Sequence, residues 1–249
     1  MIRSLRWIAG IGLTVGIISL AIAVTIGGYG VRDLWDRANF NRLACGNDKG
    51  ASGTTSSGTT SERRLAWGGG DSIEIAVPAS ITLRMGQGSD IVVRGPAGAI
   101  SHVDVHGKRL TLDCHWPSAR DIEIVLPGKA FRHIGLSGST RLVMEGLDQP
   151  ELDLRISGSG TVQAKGIVDR VSLKVSGSGD GRLAGLAMKS LTLKISGSGD
   201  VEAGPTEEAD VSISGSGTLR LLTRPARLKT HIAGSGRILQ PPVAATEKK

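Results

Sequence analysis

From His133 to Gln240 the chain alternates apolar and polar residues in short runs, and each run closes on nearly the same five residues. Ile156–Gly160, Val175–Gly179, Ile195–Gly199 and Ile213–Gly217 all read [IV]-S-G-S-G. Leu136-Ser-Gly-Ser-Thr140 precedes them and Ile232-Ala-Gly-Ser-Gly236 follows. The starts lie 20, 19, 20, 18 and 19 residues apart. A period of this length, with one strand-and-turn unit per repeat, is the signature of a solenoid. One residue before the first corner serine, or Ala233 in its place, stand Leu136, Ile156, Val175, Ile195, Ile213 and Ile232. Three before stand Ile134, Leu154, Leu173, Leu193, Val211 and Thr230, and five before, in the middle repeats, Leu152, Val171, Leu191 and Ala209. The intervening positions are polar, so each run is a strand with one buried face.

A second short run follows each corner, with Val162, Val201, Leu219 and Ile238, then Ala164, Leu183, Ala203 and Leu221, as its inward positions. Gly166 and Gly185 are the expected second corner. Two strands of about 4–6 residues and two corners fill the period. The expected fold is therefore all-β: a parallel β-helix (solenoid) of about 19–20-residue coils stacked roughly 4.8 Å apart. Ser157, Ser176, Ser196 and Ser214 are expected to stack as hydroxyl ladders. Upstream, Ser72–Val77, Ile81–Met85, Asp90–Arg94, His102–His106, Leu110–Asp113 and Asp121–Leu126 alternate without the corner motif. They are expected to form less regular coils capping that end, with a tight hairpin turn between Val105 and Leu110. The β domain is assigned to residues 65–240. Pro241-Pro242 stops the last coil, and 241–249 reads as a disordered tail.

The N-terminal pattern is different. Trp7 to Val31 is 25 residues without a charge, enough for one transmembrane helix, with Trp7, Tyr29 and Trp35 near its ends. A cleaved signal with Ala21-Ile22-Ala23 at its site is the alternative. Residues 1–43 are thus an anchor or signal segment, and 44–64, rich in Gly, Ser and Thr, reads as a flexible linker. The lipid bilayer is the first expected partner. The expected setting is a bacterial cell envelope, with an inner-membrane anchor and the β domain in the periplasm, or secretion after cleavage. Cys45 and Cys114 are read as two thiols, with a disulfide between them as the alternative.

Aromatics make up only 3% of a chain of formal charge +7. The scarcity suits a narrow aliphatic solenoid and argues against a nucleic-acid partner, which would need stacking surfaces. The outward row Arg155, Lys174 and Lys194 repeats once per coil, a spacing suited to an acidic glycan; a solvated face that blocks stray sheet pairing has the same appearance. Asp180 and Asp200 follow consecutive corners and are weak candidates for a metal or for paired-carboxylate catalysis; as turn residues they equally face water. The histidines are spread over different strands and read as surface residues. No cofactor motif is present.

The strand pair Ile81-Thr-Leu-Arg-Met-Gly-Gln-Gly-Ser-Asp-Ile-Val-Val93, followed by repeated L-x-[IV]-S-G-S-G-[DT], resembles the head GIN domain of putative auto-transporter adhesins, over about residues 70–239. The resemblance implies a β-helical fold, an envelope setting, an adhesive or scaffolding role, and no catalytic residues. The expected function is a tethered module for binding, adhesion or scaffolding, with an acidic glycan or an envelope protein as partner. A carbohydrate-active β-helix enzyme and the input domain of an envelope-signalling system are the alternatives.

Overall fold

The computed structural model describes residues 60–85, 90–113, 122–128 and 130–242. The apolar stretch, residues 44–59 of the Gly/Ser/Thr segment, both cysteines and the 243–249 tail lie outside the described residues. Among the described residues no helix is long and apolar enough to cross a membrane. The N-terminal strands are β1 (Thr60–Ala66), β2 (Ser72–Ala76), β3 (Ser80–Met85), β4 (Asp90–Pro96), β5 (Val103–His106), β6 (Arg109–Leu112) and β7 (Glu123–Gly128). The repeats supply β8 (His133–Gly138), β9 (Arg141–Gly158), β10 (Thr161–Gly177), β11 (Asp180–Gly197), β12 (Asp200–Ala203), β13 (Pro205–Gly215), β14 (Thr218–Leu221), β15 (Arg227–Gly234) and β16 (Arg237–Leu239).

The parallel stack follows the repeat. Lys174 of β10 sits beside Arg155 of β9 and Lys194 of β11, and the corner serines and glycines align in the same register. The inward positions are almost fully buried: Leu154, Leu173, Leu193 and Val211 expose 1% or less. The second corner lies where expected, at Gly166 and Gly185, but differs in form. β9, β10 and β11 run unbroken through it as strands of 17–18 residues, with a register shift around Ala164 where β10 meets its neighbours. In β9 and β11 the buried positions step by two along a side and by three at a bend: Leu142, Met144, then Leu147, Gln149, then Leu152, Leu154, Ile156. Each coil thus has three sides. A three-residue step turns the chain, with the ladder broken for a residue and then resumed, as at a bulge.

At the Ser-Gly-Ser-Gly corner a turn is required. Gly197 has φ +129°, and a Cβ there would lie 2.3 Å from the carbonyl oxygen of Gly177 in the coil below. That closeness lets Ser198 N–H donate to Gly177 O at 2.9 Å, and Ser216 N–H to Gly197 O at 2.9 Å. Corner is bound to corner by backbone. The expected hydroxyl ladder is corrected: Ser157, Ser176, Ser196 and Ser214 stack in register but are exposed, and among the described residues no hydrogen bond joins their hydroxyls. Side chains repeating at about 4.8 Å are too far apart for O–H···O contacts of about 2.7–2.8 Å.

The N-terminal strands do not all form coils. β2 and β3 stack on β8 and β9 as a true first coil, and β6 and β7 lie parallel on its far side. Beyond these, β4, β1 and β5 pair antiparallel, so this end is closed by meandering strands. The cap also begins earlier than expected: Thr60–Arg64 belong to β1, paired with β4. Its TSERRLA run alternates without an apolar face, and Arg63 Nη1 donates to the carbonyls of Ile100, Ser101 and Val103 at 2.8–3.1 Å. Thr140 stands at the corner against the first coil: it is fully buried, and its hydroxyl donates to Val77 O, between β2 and β3, at 2.7 Å. Gly181 stands inward where neighbouring coils carry Val162 and Val201; Leu173 fills the space, 2.8 Å from where a Cβ would be. The buried aromatics Trp67 and Phe131 pack with ring centroids 6.5 Å apart.

Candidate binding face

The side of the stack formed by β8, the C-terminal halves of β9–β11, β13 and β15 carries four outward rows. Register places Gly135, Arg155, Lys174, Lys194, Ser212 and His231 in one of them. The three sequence-predicted cations therefore occupy consecutive coils, all exposed. On one flank runs the exposed serine row. On the other lie His133, Asp153, Ser172, Thr192, Asp210 and Lys229, and beyond them Glu151, Arg170, Ser190, Glu208 and Arg227.

The rows differ in charge balance. In the outermost row Arg170 Nε donates to Glu151 Oε1 at 3.1 Å, and Arg227 meets Glu208 at 3.1 Å. The Arg170 guanidinium, by hydrogen bond and then by charge, holds the Glu151 carboxyl below its ordinary value. Lys229, hydrogen-bonded to Glu208, does the same with Arg227. In the cation row Arg155 touches Asp153 at 3.3 Å, and Asp153 also faces His133 Nδ1 at 3.4 Å. Lys174 and Lys194 have no carboxylate within ion-pair distance among the described residues. Short side chains leave a shallow depression of about 320 Å³ beside the row, lined by Arg132, His133, Asp153, Arg170, Ser172 and Thr192 among others. The coils of Lys174 and Lys194 each offer one cation and one neutral donor, Ser172 or Thr192, which suits an anionic chain with its own hydroxyls, while Glu151 and Asp153 line the end of the hollow near Arg155.

Asp180 and Asp200 lie on another side, beyond the corner, on neighbouring coils. They share an open depression of about 380 Å³ with Arg182, Glu202, Thr218 and Arg220. Thr161 and Thr218 flank them in register, and Arg182 and Arg220 flank Glu202. The two guanidiniums oppose the acidic field that a cation would need. Among the described residues, no third ligating side chain joins the two aspartates. Sequence reasoning missed a different grouping: Asp104, His106 and Asp113 bring ligand atoms within 4.8 Å of one another on the β5–β6 hairpin. The alternation of β5 and the antiparallel pairing put them on one face, a signal legible once the hairpin is drawn. Asp104 is already engaged by Arg63 at 3.1 Å.

Stacked parallel coils, an aliphatic interior and outward rows of cations and hydroxyls define an all-β solenoid. Over residues 70–239 the chain matches the family described as putative auto-transporter adhesin, head GIN domain, and it belongs to that family. A crystal structure of a putative adhesin from Bacteroides fragilis superposes with a TM-score of 0.58 at 16% identity, over 74% of this chain and 97% of the other. A putative lipid binding protein from Parabacteroides distasonis gives 0.47 at 18% identity, over 75% and 98%. At 16% identity the likeness to the Bacteroides fragilis structure is one of fold. No curated protein matches the chain.

Proposed function

We propose that this protein is a membrane-tethered, extracytoplasmic binding module that holds a linear acidic glycan along Arg155, Lys174 and Lys194, without catalysis. The observation that carries the reading is Lys174 and Lys194: consecutive cations one coil apart that no described carboxylate neutralises, whereas the charges of the outermost row are internally paired. Anionic groups spaced near the coil repeat of about 4.8 Å would meet one cation per coil, while Ser172 and Thr192 donate from the hollow. The uncharged Trp7–Val31 stretch supports the tether and envelope setting.

The test is binding of an acidic polysaccharide to the full chain in detergent micelles, beside an Arg155→Ala, Lys174→Ala, Lys194→Ala variant. Exposed charge contacts contribute about 0.2–1 kcal/mol each, so the triple variant is expected to bind roughly tenfold more weakly and with a shallower salt dependence. A neutral polysaccharide should bind neither. Unchanged, salt-insensitive binding by the triple variant would remove this face from the account.

A further inference from the structure

The two ends of the solenoid are finished differently. At the N-terminal end the outer strands keep their apolar residues covered: Ile91, Val93 and Val103 are fully buried. At the other end β15 pairs only with β13, and β16 only with β14. Four large hydrophobic side chains stand exposed among the described residues. One of them, Ile232 (42%), stands on β15, while Leu239 of β16 holds the outward position of Arg220 and Leu222 follows β14. Ile232 occupies the register position of Ile213, which is fully buried because another coil covers it. The last coil keeps Leu228 and Ile232 in the inward rows, and among the described residues no strand lies above it.

We infer that this end is covered by the same end of a second copy of the chain, giving a closed tail-to-tail dimer. The strand itself selects the arrangement. Leu228, Thr230 and Ile232 continue the inward rows of Ala209, Val211 and Ile213. A two-fold axis at Thr230 pairs β15 antiparallel with its copy, setting Leu228 against Ile232 of the second copy, Thr230 against Thr230, and Ile232 against Leu228. A register one residue away would place apolar residues opposite polar ones. Lys229 comes opposite His231 in this register, and Glu208 lies within ion-pair distance of both Lys229 (3.4 Å) and Arg227 (3.1 Å). Free edge strands are sites of sheet pairing unless charge or proline blocks them; β15 contains no proline, and its cations Arg227 and Lys229 share that carboxylate. Because the N-terminal end is capped, the pairing closes at two copies and does not propagate into a fibre.

Disulfide trapping tests the dimer and its register in one experiment. In the full chain in detergent micelles, with Cys45 and Cys114 replaced by serine, Thr230→Cys is compared with Ala184→Cys, an exposed position on another side. Cα atoms directly opposite on antiparallel strands lie about 4.5–5.5 Å apart, within disulfide reach. Thr230→Cys is therefore expected to form a covalent dimer under mild oxidation, and Ala184→Cys to stay monomeric. In the untrapped chain Ile232→Asp should weaken dimerisation at least tenfold by sedimentation, with the thermal transition of the domain retained. A monomer at all concentrations with no Thr230→Cys product overturns the inference. So do products larger than a dimer, or a dimer that appears only after residues 243–249 are removed, which would make the tail the occupant.

Discussion

A few single residues decide whether the coils can stack. Gly197 combines a φ of +129° with a neighbouring carbonyl 2.3 Å from the absent Cβ, and that neighbour is backbone, which cannot swing aside. Gly197→Ala is expected to destabilise the domain by about 1–3 kcal/mol or more, read as a lower denaturation midpoint. An alanine at the exposed Ser196 beside it should cost less than about 0.5 kcal/mol. These corner glycines were legible in the sequence because the motif repeats. Thr140 was legible only as an irregularity. Its reason, a hydroxyl donated to Val77 O 63 positions away in sequence, needed the first coil in place. Arg63 is similar: a charged residue in a polar run, given a purpose by the carbonyls of a distant turn.

At the scale of elements the structure is nearly one-dimensional, since each coil packs on the coils beside it. Leu193 is fully buried at the centre of its row, between Leu173 and Val211. Leu193→Ala should cost about 2–5 kcal/mol. Hydrogen exchange should show the loss concentrated in β10, β11 and β13, with amides of β2, β3 and β7 still protected. The strands themselves were readable because period-2 alternation survives along each side. The second bend was legible in its place, at Gly166 and Gly185, but not in its form: the strand runs on through it, with a positive φ at Gly166 (+134°) and none at Gly185. The basic row was readable for the same reason as the strands: one residue per period means one row.

For the molecule as a whole, charges settle between coils, as in Lys165–Glu145 at 3.3 Å and Lys189–Asp169 at 2.8 Å. Glu62, hydrogen-bonded by Arg94 and Arg64, is held below the ordinary glutamate value of 4.5, as are Glu151 and Glu208. A carboxyl with a depressed folded value stabilises the fold above its unfolded pKa and loses that contribution as pH falls through the folded value. Thermal stability should therefore hold from neutral pH to about pH 5 and decline below about 4.5. High salt should shrink the decline, because these groups are exposed and screened. Melting curves across that range at two salt concentrations measure both effects.

By itself the sequence determined the class of fold, the register of the repeats and the row of Arg155, Lys174 and Lys194, because a solenoid maps a sequence period directly onto stacking in space. Only the tertiary structure decided the order of the N-terminal strands, with β6 and β7 slipping behind β2 and β3, since alternation says that a strand exists and not which edge it joins. It alone decided which charges are neutralised, because Glu151–Arg170 and Glu208–Arg227 form between coils. It also distinguished the two ends: the last repeat keeps the alternation, departing only at Thr230 and Ala233, and its exposure follows from the lack of a strand above it among the described residues.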